Sequence, residues 1–225
     1  MSIKQTLRNI LAVILLLAPV LILLPKGAIV LYLNQLHTPV LDYFFKHITY
    51  LGDAFIILLL IPILLIWRYQ YLIACLFTTV ICTLIVNLGK RVLGHDMLRP
   101  VPFFNGSEPL HFVDGIDIHS KMSFPSGHTA TAFACAMLLT LIWKSRSASI
   151  NLFTLAILVG CSRMYLLQHF YMDVFAGVIT GMLSAMIGYH FSTKVLHSES
   201  GLKNLIIKRL PNTDRKERQL PVPQV

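Results

Sequence analysis

Apolar residues in this chain gather into long runs separated by short polar stretches. Six runs stand out, at 7–24, 53–68, 71–89, 127–143, 149–166 and 172–192. With its flanks, each is near the ~17–25 residues that carry a helix through hydrocarbon. A backbone in lipid must satisfy its own N–H and C=O groups, so the runs predict an all-α integral membrane protein with six transmembrane helices. Between the first two runs the pattern changes. Val40, Leu41, Phe44, Phe45, Ile48 and Leu51 recur at helical spacing, while Asp42, Lys46 and His47 take the other face. Together with Tyr43 and Tyr50, they predict an amphipathic helix lying along the interface, or a connecting helix packed on the bundle.

Composition agrees with this reading. The chain is 56% hydrophobic and only 13% charged, with a mean hydropathy of +0.70, too apolar for a soluble domain. Cys75, Cys82, Cys135 and Cys161 all lie inside apolar runs, which disfavours a disulfide framework and a thiolate metal site.

The net charge of +9 could suggest nucleic acid, but its distribution assigns it to topology. When the connections are sorted alternately, one side carries twelve basic residues, Lys4, Arg8, Arg68, Lys144 and Arg146 among them, against Glu199, Asp214 and Glu217. The other side has seven of each sign. The positive-inside rule makes the first side cytoplasmic, so both termini are expected there. The first run is read as an uncleaved span, since no small-residue cleavage pattern precedes Pro25. Residues 1–196 are expected to form the membrane domain, and 197–225 a basic cytoplasmic tail, partly disordered, with a short surface helix over 205–210.

The topology brings three polar clusters to the extracytoplasmic face. One runs from Lys90 to Arg99, a second comprises Ser126, Gly127 and His128, and a third runs from Ser162 through Asp173. A long polar loop, from Gly94 to Pro125, leads into the second cluster and is expected to cover the site. No ionisable residue falls in the middle of a run, which argues against a transporter. Pro125-Ser126-Gly127-His128 opens a long apolar run, where free N–H groups and the helix dipole favour an anion; the same residues also make an ordinary cap. His169 and Asp173 are one helical turn apart, so the carboxylate can hold one ring nitrogen and leave the other as a nucleophile, or the pair can act as a polar stitch. Arg99 and Arg163 offer bidentate forks and Lys90 a point charge for phosphate, unless they merely snorkel to headgroups.

Taken together, Lys90 to Arg99-Pro100, Pro125-Ser126-Gly127-His128, and Ser162-Arg163 followed by His169 and Asp173 resemble the three-part signature of the type-2 phosphatidic acid phosphatase superfamily. The resemblance implies a metal-independent phosphatase with no cofactor, acting on a phosphorylated membrane lipid. In it His169 would attack phosphorus to form a phosphohistidine, Asp173 would orient it, and His128 would protonate the leaving oxygen. Lys90, Arg99, Ser126, Gly127 and Arg163 would hold the phosphoryl oxygens. The spacing from Lys90 to Arg99 exceeds the usual first motif, so Arg91 competes for the lysine's place.

The family offers undecaprenyl pyrophosphate, phosphatidylglycerophosphate, phosphatidate and lipid A phosphates as substrates, and a bacterial inner membrane as the location. Three alternatives stand beside hydrolysis. They are transfer of the phosphoryl group to a second lipid at the same site, a metal site built from His111, Asp114, Asp117 and His119, and a non-enzymatic scaffold. The sequence does not assign an oligomeric state.

Overall fold

The computed structural model describes residues 3–197, so the expected tail beyond His197, with its helix over 205–210, lies outside the described residues. Among the described residues there are nine α-helices and no strand. They are α1 (Ile3–Leu23), α2 (Ala28–Gln35), α3 (Pro39–Ile48), α4 (Ala54–Trp67), α5 (Tyr69–Leu88), α6 (Pro100–Phe104), α7 (Gly127–Trp143), α8 (Arg146–Tyr165) and α9 (Tyr171–His197). A 3-10 turn, Thr49–Gly52, precedes α4, and a π turn, Gly89–Leu93, extends α5.

Each of the six apolar runs is helical. Tyr69–Leu93, Arg146–Tyr165 and Tyr171–Lys194 are long and apolar enough to cross a membrane alone. Two more spans arise only if bent pairs are joined: α1 with α2, bent by 92°, and α3 through its 3-10 turn with α4, bent by 53°. The sixth, α7, is apolar but has 17 residues.

α7 is the axis of the bundle. It packs against α5, α8 and α9, and nearly every side chain from Thr129 to Ile142 is buried. A helix apolar on all sides has no face to give to solvent, and its Ala130, Ala132, Ala134 and Ala136 let neighbours come close. The closest approach is made by α9. A Cβ at Gly177 would stand 2.7 Å from the Ser126 carbonyl oxygen, and one at Gly181 would meet the Ala130 carbonyl and lie 2.8 Å from Ala134 N. Those neighbours are backbone and have no rotamer to change. Gly181→Val is therefore expected to destabilise the detergent-solubilised protein by about 1–3 kcal/mol, the usual cost of overpacking, read as a fall in Tm. An unchanged Tm would mean that α9 does not need this contact.

The amphipathic stretch before α4 differs from expectation. It is two helices and a 3-10 turn, and α3 has no buried residue. Val40 and Tyr43 are exposed, whereas Asp42 turns inward and accepts from Tyr165 of α8 at 2.5 Å. Val40, Tyr43 and Phe44 thus face outward, the orientation suited to lipid, while Phe45 packs on Tyr165 with 4.5 Å between ring centres and the Asp42 carboxylate is held by the bundle. The same region ties down the long loop. Asn34 exchanges two 2.8 Å hydrogen bonds with the backbone of His111, and Lys46 Nζ donates to the Asp114 carbonyl.

Candidate active site

Three segments meet at one end of the bundle: the π turn after α5, the first turn of α7, and the connection from α8 to α9. Their charges lie within electrostatic reach of one another, since His128 is surrounded by Arg163, His169, Lys90 and Arg99. All eight residues singled out in the sequence lie on these segments or, for Arg99, on the loop that follows the first of them.

The π turn gives Lys90 and Arg91 different surroundings. Gly94 N–H donates to the Gly89 carbonyl at 2.9 Å, closing a wide turn that takes up part of the extra length before Arg99. Lys90 is left half-buried and facing Arg99 and Arg163, while Arg91 is exposed. Arg99 is 6% exposed and clamped in place. Its Nε donates to the Lys121 carbonyl at 3.0 Å, and its Nη1 donates to both the backbone and side-chain oxygens of Gln168 at 3.1 Å. Burial lowers its proton affinity and nearby Asp173 opposes the loss.

Arg163, in the last turn of α8, is 7% exposed. Its Nη1 donates to Thr49 Oγ1 at 2.8 Å, and its Nε is buried with no partner among the described residues. An unpaired buried guanidinium N–H is costly unless an anion completes it.

Ser126 stands at the N-cap of α7, with its polar groups already engaged. It is fully buried, its hydroxyl lies 2.9 Å from Thr129 Oγ1, and its N–H donates to the Asp173 carbonyl at 3.0 Å. The donors left for an anion at the start of α7 are the N–H groups of Gly127, His128 and Thr129, which have no carbonyl one turn earlier in the helix.

His169 departs from expectation: it precedes α9 instead of lying on it. Asp173, in the first turn of α9, reaches back with Oδ2 to accept the Phe170 N–H at 2.8 Å, the returning half of a capping box. The same oxygen accepts from Ser123 Oγ at 2.5 Å. His169 Nδ1 stands 3.7 Å from it, too far for a hydrogen bond, and is buried without a partner among the described residues. Burial holds the His169 imidazole below its ordinary proton affinity, which favours the neutral ring with a free lone pair. Catalytic contacts are often long until substrate is bound, and this one is short of closure by less than an ångström.

Four residues that the sequence did not single out complete the arrangement. Ser123 and Gln168 hold Asp173 and Arg99, Thr49 holds Arg163, and Asp53 Oδ1 lies 3.1 Å from His128 Nε2. By contrast, His111, Asp114, Asp117 and His119 do not gather. His111 pairs with Asp42 at 2.8 Å and stacks on His37, and among the described residues no three metal-ligating side chains stand together.

An apolar cavity of about 230 Å³ opens beside the site. Leu24 and Val30 line it from the α1–α2 corner and Phe170 from the start of α9, with Ser123 and Asp173 at its polar end. Lys26 sits at its edge, with Nζ 4.6 Å from the Phe170 ring centre.

The profile of the PAP2 superfamily matches residues 70–196, more than half of the chain and all three clusters. The chain belongs to the PAP2 superfamily. Among similar PAP2 proteins is the lipid A 1-phosphatase of Porphyromonas gingivalis, 39% identical over 130 residues, or 57% of this chain and 25% of that one. The chain thus spans about a quarter of that relative's length. The lipid A 4'-phosphatase of Bacteroides thetaiotaomicron is 27% identical over 175 residues, covering 74% of this chain and 76% of its own. The crystal structure of Aquifex aeolicus LpxE superposes with a TM-score of 0.64 at 28% identity, covering 72% of this chain and 92% of that one.

Proposed function

We propose that this PAP2 protein is a lipid phosphatase that hydrolyses a phosphate ester of a membrane lipid through a phosphohistidine. The observation that carries the reading is the buried His169 beside Arg99 and Arg163, with Lys90 facing both arginines and an Arg163 N–H that has no partner among the described residues. In the first half-reaction the Nε2 lone pair of His169 forms a bond to phosphorus. The bond from phosphorus to the leaving oxygen breaks, and that oxygen takes its electron pair and a proton from His128. In the second half, water attacks phosphorus, gives a proton back to His128, and releases His169 with inorganic phosphate. The three cations and the N–H groups of Gly127, His128 and Thr129 neutralise charge on the equatorial oxygens. The residues present use no metal in either step.

A lipid substrate is supported by the apolar cavity that meets the site at Ser123 and Asp173, where an acyl chain can lie while the phosphate reaches His169. The similarity to lipid A phosphatases and to LpxE supports testing a phosphate of lipid A first. In this reading α1, α4, α5, α7, α8 and α9 are the six spans, residues 1–196 form the membrane domain, and both termini are cytoplasmic. The site then opens on the extracytoplasmic face of a bacterial inner membrane, a reading supported by the excess of basic residues on the opposite side.

Phosphate release from lipid A, phosphatidylglycerophosphate, phosphatidate and undecaprenyl pyrophosphate, with chelator present, tests the proposal. Chelator-resistant release from lipid A exceeding the others is expected. Release abolished by chelator would overturn the metal-free mechanism, and appearance of a doubly phosphorylated lipid instead of free phosphate would replace hydrolysis with transfer.

A further inference from the structure

The corner where the 3-10 turn enters α4 is shaped to rest on His128. A Cβ at Gly52 would stand 2.6 Å from the His128 carbonyl oxygen and 2.9 Å from its Cβ, so a bare backbone is needed for the approach. Asp53 follows at the N-cap of α4, where an aspartate side chain ordinarily accepts an N–H from its own helix. It makes no such bond. Its carboxylate turns instead to His128 Nε2, at 3.1 Å, with both side chains partly open to the cleft. The preceding turn also supplies Thr49, whose hydroxyl holds Arg163. Thus one short corner touches two of the groups assigned to the chemistry, and it lies outside the residues 70–196 matched to the family.

We propose that Asp53 is the positioning residue of His128, fixing its ring through Nε2 so that Nδ1 presents the proton to the leaving oxygen. The inference rests on the reading of His128 as the leaving-group acid. His128 is faced by Arg163 from α8, Lys90 from the π turn, Arg99 from the long loop and His169 from the connection to α9, all cationic or able to become so. Among such neighbours an imidazolium needs a carboxylate in contact, and Asp53 supplies it. The proton balance is unchanged: His128 gives one proton to the leaving oxygen and regains one from water.

Asp53→Asn keeps the shape of the contact and removes its charge. The expected result on a lipid phosphate is a fall in kcat of about 10- to 100-fold, with KM changed by less than about 3-fold, since only the transition state is affected. The basic limb of the kcat–pH profile should move to lower pH, because His128 loses its proton more readily. With p-nitrophenyl phosphate, whose leaving oxygen needs little protonation, the loss should shrink to about 3-fold or less. Asp53→Glu should recover part of the rate, and an unchanged Tm for both variants excludes misfolding. His128→Ala is measured beside them. If His128→Ala shows the leaving-group dependence and Asp53→Asn shows neither it nor a shifted limb, Asp53 is not the positioning residue and the reading of His128 stands. If His128→Ala loses both substrates equally, the acid reading itself fails.

Discussion

His169→Ala is expected to remove phosphate release altogether, by about 10,000-fold or more, from every lipid the protein hydrolyses. The loss follows from the proposed division of labour, since His169 is the atom donor that forms the bond to phosphorus. The arrangement of Lys90, Arg99 and Arg163 survives the substitution, because none of their hydrogen bonds uses the His169 side chain. Substrate should therefore still bind. A trapping experiment separates this from simple damage: wild-type protein quenched during turnover of a labelled lipid should carry an acid-labile phosphoryl group, and His169→Ala should carry none. Turnover retained by the variant, or label remaining on it, would sink the phosphohistidine mechanism.

Arg163→Lys is the second large effect, expected to lower kcat/KM by about 100-fold or more. A lysine keeps the charge and loses the fork. It can reach either Thr49 or the phosphate, whereas Arg163 has Nη1 on Thr49 and a separate, unpartnered Nε for the anion. Stability should behave differently from activity. A buried guanidinium with an orphaned N–H is a burden on the empty fold, so the Tm of Arg163→Lys without ligand is expected not to fall. Orthovanadate or phosphate should raise the wild-type Tm more than that of the variant, because a ligand stabilises in proportion to its affinity for the folded state. A variant that loses Tm in parallel with activity would make Arg163 a structural residue.

The apolar runs and the three polar clusters were legible from the sequence because each is a local property, either a stretch of uniform polarity or a fixed spacing. The supporting contacts were not. Thr49 and Asp53 meet Arg163 and His128 across more than seventy residues of chain, and nothing periodic marks a single polar residue at a helix entrance. For His169 and Asp173 the spacing of four suggested one helical turn. Asp173 is instead the third residue of α9 and caps its entrance, a competing use of the same residue type that excludes His169 from the helix. Ser126 shows the same limit: the Pro-Ser-Gly-His motif was visible, but not that its serine N–H is already taken by Asp173.

Asp173 fastens two parts of the site by two different chemistries. Its carboxylate steadies the Phe170 N–H and Ser123 beside His169, while its main-chain carbonyl holds the Ser126 N–H at the entrance of α7. Substitution can delete the first and leaves the second intact, because every residue at position 173 brings a carbonyl with it. Mutagenesis there samples the orientation of the imidazole and is blind to the tether between α7 and α9. This tether between the two helices beside His169 is thus written into the peptide backbone, where drift at this codon cannot erase it.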